Sequence, residues 1–102
     1  LFGQVLKTVK RLPKEYRFEV GSQIVWSSLS VVLNIAEGSG KTSDKELGRY
    51  LDISLGSLYE TLAAIDTLKN NHLATSEEFQ EIKTLISDIA DQLGGFKKKI
   101  SM

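Results

Sequence analysis

The residues best placed to do chemistry stand together in Gly38-Ser39-Gly40-Lys41-Thr42, which echoes a phosphate-binding loop. Such a loop cradles phosphates with backbone amides that glycines leave open, and adds a lysine charge and a hydroxyl. The full pattern needs a further glycine five residues before the Gly-Lys-Thr, and Ile35 stands there. The segment also follows a helical pattern rather than a strand, so nucleotide hydrolysis is set aside. A smaller possibility remains, in which Gly38, Ser39, Gly40 and Lys41 hold a phosphate or sulfate ahead of the next helix. The competing reading is a tight glycine turn between two helices.

A second cluster comprises Asn34, Glu37, Arg49, Asp52 and Glu60, flanked by the small pair Gly56-Ser57. Asn34 and Glu37 lie one turn apart at the end of an apolar segment, where polar groups need partners. Glu37 also falls at the unfavourable end of the helix dipole. Arg49 or Lys41 is the cation expected to compensate it, and Arg49 also has Asp52 at i,i+3. A polar network fixing helix register is expected here, and Gly56 is expected to admit another helix closely. A ligand or enzymatic site at Glu37 and Arg49 is the alternative. No histidine, serine–histidine pair or acid pair stands near to give it a recognisable reaction, so no catalytic residue is assigned. His72 is the single histidine and falls in a turn; alone it makes no metal site, and neither metal nor cofactor is expected.

Lys7, Lys10 and Arg11 project opposite the Val5/Val9 face, with Lys14 following across Pro13, and Lys97, Lys98 and Lys99 form a basic tail. Repeated around an assembly, such a stripe could contact nucleic-acid phosphates. Residues 1–17 carry five basic residues against one acidic, a net of +4, whereas 75–92 carry five acidic against one basic, a net of −4. The total charge of zero argues against strong non-specific binding of nucleic acid.

These side chains must be positioned by a small scaffold. The 102 residues are expected to form one domain spanning 1–102, with an ordinary globular composition. Absence of cysteine excludes disulfides and thiolate metal sites. The longest uncharged run, Val20 to Ala36, is too short and too polar for a membrane span. No signal-peptide pattern is present; the chain opens at Leu1 rather than Met, so upstream sequence is expected to be missing. The cytoplasm is the expected compartment.

Periodicity predicts four helices. Phe2, Val5, Leu6, Val9 and Leu12 make the first, ended by Pro13. The second runs from about Phe18 to Glu37 and is apolar nearly all round, which predicts burial on more than one side. A bundle of this size cannot cover such a helix alone, so a subunit interface is expected. The third begins at Ser43-Asp44-Lys45-Glu46, a capping box, follows the seam Leu47, Leu51, Leu55, Leu58, Leu62, Ile65, and ends at Asn70-Asn71, where a left-handed cap is tolerated. The fourth opens with a second box, Thr75 and Glu78, and follows Phe79, Ile82, Ile86, Ile89, Leu93, Phe96 and Ile100. Gly94-Gly95 is expected to bend or fray its end. Short connections favour antiparallel neighbours.

Asn34-Ile35-Ala36-Glu37-Gly38-Ser39-Gly40, followed by Ser43, Glu46, Arg49, Leu51, Ile53, Gly56-Ser57 and Glu60, resembles the bacterial four helix bundle protein family. That family includes proteins encoded in intervening sequences of large-subunit ribosomal RNA genes and the accessory variability protein of diversity-generating retroelements. Leu12-Pro13-Lys14-Glu15 and Gln23-Ile24 extend the likeness over nearly the whole chain. The resemblance implies an antiparallel up-down four-helix protomer in a homopentameric ring. For the retroelement members it implies binding of RNA or DNA and of a reverse transcriptase, and for most members no activity is established. Val25 and Trp26 stand where members carry basic residues, and the neutral charge is a second departure.

The expectation is therefore an all-α, non-enzymatic, homo-oligomeric scaffold or binding module. Trp26, Leu29 and Leu33 should supply its apolar interface, and Asn34, Glu37 and Arg49 its polar register. An RNA- or DNA-binding accessory protein is the alternative, working through Lys7, Lys10, Arg11, Lys14 and Lys97–Lys99.

Overall fold

The computed structural model describes residues 1–101, and every secondary-structure element in that span is helical. There are five helices: α1 Phe2–Lys10, α2 Lys14–Arg17, α3 Glu19–Ser39, α4 Asp44–Asn70 and α5 Ser76–Ile100. The extra element is the single turn α2. Pro13, at φ −53°, breaks the chain after α1, and its carbonyl then accepts the Tyr16 and Arg17 amides. A proline is tolerated at a helix start, where its missing N–H would have no partner.

α1, α3, α4 and α5 close an up-down circuit in which each packs on two others. Val5, Val9 and Leu12 of α1, Ile24 and Val31 of α3, Leu51, Leu58, Ile65 and Leu68 of α4, and Ile82, Ile86 and Leu93 of α5 make the core. The seams read from spacing hold, with one exception at the far end of α5, where Phe96 is 46% exposed. No helix among the described residues is long and apolar enough to cross a membrane.

The α3–α4 contact is partly polar, which the apolar seams did not indicate. Ser27, Ser28, Ser54 and Thr61 are buried. The Ser27 and Thr61 hydroxyls meet at 2.7 Å, the Ser54 hydroxyl donates to the Val31 carbonyl at 2.9 Å, and Ser30 meets Ser57 at 3.0 Å on the outer edge. Small hydroxylated side chains let the two helices approach, and among the described residues no buried side-chain nitrogen or oxygen is left unpaired. Gly38 marks the end of this close approach. It lies inside α3, and a Cβ there would sit 2.8 Å from that of Tyr50. The expected glycine turn is therefore a helix–helix contact, and no glycine has positive φ.

The caps differ in detail from expectation. Thr75 and Glu78 form the complete box. At Ser43 only half is made: the hydroxyl accepts the Glu46 amide. The left-handed residue after α4 is His72, at φ 59°, while Asn71 stays at φ −105°. His72 N–H donates to Lys69 and Leu73 N–H to Leu68, the two bonds of a Schellman ending. Helix α5 runs unbroken through Gly94-Gly95 to Ile100. Its last turns are held by the Lys97–Asp52 ion pair and by Ile100, which lies against the Gly48 turn of α4.

Candidate functional site

The outer face of the α3–α4 hairpin carries most of the chemistry the sequence singled out. The Ser30–Ser57 contact is its centre line, since Ser27–Thr61 and Ser54–Val31 lie on the core side. One turn either side of Ser30 stand Trp26, 62% exposed, and Leu33, 47% exposed. One turn before Ser57 stands Ile53, 43% exposed. Val32 and Tyr59 add further open apolar surface, whereas Leu29 is half-buried. The single protomer thus leaves uncovered the tryptophan that the apolar α3 pattern marked for a subunit interface.

Asn34 is half-buried beside this centre line, and its amide nitrogen donates to the Ser30 carbonyl at 2.8 Å and hydroxyl at 2.9 Å. Glu37 finds its cation in Lys41, at 3.4 Å and one turn along. Arg49 makes no ion pair within the described residues; its guanidinium lies 5.3 Å from the Tyr50 ring centroid, with Lys41 at 5.3 Å from the same ring. The expected Arg49–Asp52 pairing is absent because Asp52 is taken by Lys97. Gly56 has no atom within 4 Å of a built Cβ, so the close helix approach expected there does not occur inside the protomer.

The Gly38–Lys41 segment does not offer an open row of amides. Gly38 and Ser39 lie in α3, and the Gly40 and Lys41 amides donate to the Glu37 and Gly38 carbonyls. The expected anion loop is therefore a helix end, with its donors already engaged. An open groove of about 920 Å³ lies nearby, lined by Ser43, Lys45, Arg49, Asp52, Lys97 and Ile100 among others. It gathers Arg49 and Asp52, but Glu37 is not on its wall.

The basic residues are divided. α1 lies against the first half of α5, so the positive stretch meets the negative one inside one protomer. Arg11 pairs with Glu78, and Lys7 and Glu81 line the same small cavity. Burial pushes the Glu78 carboxyl up, but bonds from the Thr75 backbone, the Thr8 hydroxyl and the Thr75 hydroxyl, with the Arg11 charge, outweigh it and hold its pKa below the ordinary 4.5. Thr8 is the buried α1 residue that the apolar pattern missed; it donates to Glu78 at 3.0 Å. Lys97, Lys98 and Lys99 sit at the other end of α5, about 30 Å from Glu78 at 1.5 Å per residue. Two surfaces result rather than one stripe, with Arg11 and Lys97 already paired. Lys10 and Lys14 remain exposed, next to Tyr16, 41% exposed, and Phe18, 82% exposed.

The described residues thus form an all-helical chain with an apolar α3–α4 face left uncovered. The chain belongs to the 23S rRNA-intervening sequence protein family, whose model matches residues 1–95. No curated protein matches it.

Proposed function

We propose that this protein is a non-enzymatic module that assembles with copies of itself, as a five-membered ring, and presents the assembled surface to a macromolecular partner. The observation that supports self-assembly is the exposure of Trp26, Leu33 and Ile53 on one face of a protomer whose core is otherwise closed. Covering side chains of this size is worth about 1.5–3 kcal/mol each, enough for a few of them to drive association. The number five rests on the family resemblance. The test is sedimentation equilibrium at tens of micromolar, where a multiple of the protomer mass is expected and a clean monomer would reject the reading.

A second reading, nucleic-acid binding, is favoured by Tyr16 and Phe18 standing exposed on either side of Arg17, close in sequence to the exposed Lys14 and Lys10. Aromatics interleaved with cations let bases stack while the backbone is neutralised. Binding of single-stranded RNA or DNA would weaken steeply with salt and fall with Phe18→Ala or Lys10→Glu. Lack of retention of either polymer at low salt would eliminate it.

A further inference from the structure

The α3–α4 hairpin also says which residues of two copies meet. Its hydroxyl contacts fix heights along the two antiparallel helices: Ser27 is level with Thr61, Ser30 with Ser57, and Val31 with Ser54. At the far end Gly38 is level with Tyr50. Each step along α3 is thus a step back along α4. On the outer face, Leu33 is therefore level with Ile53, Ser30 with Gly56, and Trp26 with Glu60. Glu37, adjacent to Gly38, is level with Arg49, adjacent to Tyr50.

We propose that α3 of one copy packs antiparallel against α4 of the next at equal height, so that Glu37 pairs with Arg49 across the interface. This rests on the self-assembly reading and specifies its contact. A rotation axis parallel to the bundle changes no heights, and one placed over the α3–α4 seam brings α3 of one copy opposite α4 of its neighbour. The match is then complementary along the row. Leu33 meets Ile53, both exposed and apolar. Ser30 meets Gly56, where nothing lies within 4 Å of a built Cβ and a neighbouring helix has room to approach. The Trp26 indole N–H meets the Glu60 carboxylate, an exposed acid with no ion pair within the described residues. At the end of the row Arg49 has no carboxylate partner within the described residues, and Glu37 keeps 59% of its side chain exposed despite Lys41. No ion pair joins Glu37 and Arg49 inside one protomer: Glu37 has only the Lys41 contact at 3.4 Å, and Arg49 only the Tyr50 ring, so both charges have capacity for the other copy.

Charge exchange tests this. Glu37→Arg and Arg49→Glu each turn the attractive pair into a like-charge one, and each should lower the association constant about tenfold at low salt, with helicity by circular dichroism unchanged. The doubly exchanged chain should return to within about threefold of the original, because attraction is restored with its signs swapped. A mixture of the two single variants should associate better than either alone. If both single variants associate like the original chain, the contact is wrong while the assembly stands. If the original chain sediments as a monomer at about a hundred micromolar, far above the Kd of a stable interface, both readings fall together.

Discussion

Glu78 ties the start of α5 to the end of α1 with one carboxylate. One oxygen accepts the Thr75 amide and so completes the cap of α5; the other accepts from Thr8 of α1 and from Arg11 just past its end. Because its folded pKa lies below 4.5, the stabilisation it gives is present above that value and is lost as pH falls through the folded pKa. Glu78→Ala should cost about 1–3 kcal/mol at pH 7, as expected for a lost cap and for hydrogen bonds to a charge. In urea titrations the gap between the two proteins should shrink below about pH 4.5. A gap of constant size down to pH 3 would contradict this account. His72 gives a prediction of opposite sign. A non-glycine residue in the left-handed region carries a penalty of roughly 1–2 kcal/mol, partly offset by the entropy glycine loses on folding, so His72→Gly should stabilise by about 0.5–1 kcal/mol. The thermal midpoint would report it.

Among the elements, the glycines separate into those a neighbour requires and those that nothing requires. Gly38→Ala would drive a methyl into Tyr50, and Gly21→Ala into Val9, whose Cγ1 lies 2.7 Å from the built Cβ. Each should destabilise by about 1–3 kcal/mol, the cost of overpacking. Gly94→Ala and Gly95→Ala meet nothing within 4 Å and should each stabilise α5 by about 1 kcal/mol through helix propensity alone. The contrast also shows what the sequence could reveal. The helices were legible because apolar spacing is a local property: Ile82, Ile86 and Leu93 point inward wherever α5 sits. The role of Gly38 was not, because it depends on Tyr50 lying across from it, a contact between residues on different helices. The same holds for Ser27, Ser54 and Thr61, which read as polar until paired. Arg49 kept the exposure expected of an interface residue, but its supposed partner Asp52 was lost to Lys97, a residue from another helix.

For the whole molecule, folding offsets part of the charge segregation that the sequence displays. α1 lies beside the first half of α5, where Arg11 pairs with Glu78, while Lys10, Lys14 and Arg17 stay exposed, so only part of the positive arm is neutralised. What stays unbalanced is apolar surface, and this directs the expectation toward association rather than nucleic-acid capture. Trp26→Ser and Leu33→Ser should each reduce the sedimented mass toward the protomer while leaving the unfolding free energy of the isolated chain within about 1 kcal/mol, since exposed side chains contribute little to the monomer. A large loss of protomer stability instead would mean that these residues serve the core.

The serine and threonine rungs between α3 and α4 have a mechanical corollary. Sliding one helix past the other by a turn would break the Ser27–Thr61 contact and strand the Ser54 hydroxyl in a dry seam at about 1–3 kcal/mol, while Ser27 and Thr61 would keep their bonds to the Ile24 and Ser57 carbonyls of their own helices. A greasy seam of equal size would tolerate such slippage at far lower penalty. The hairpin therefore behaves as a graduated ruler, and whatever binds its outer surface encounters marks at fixed intervals instead of a pliable patch.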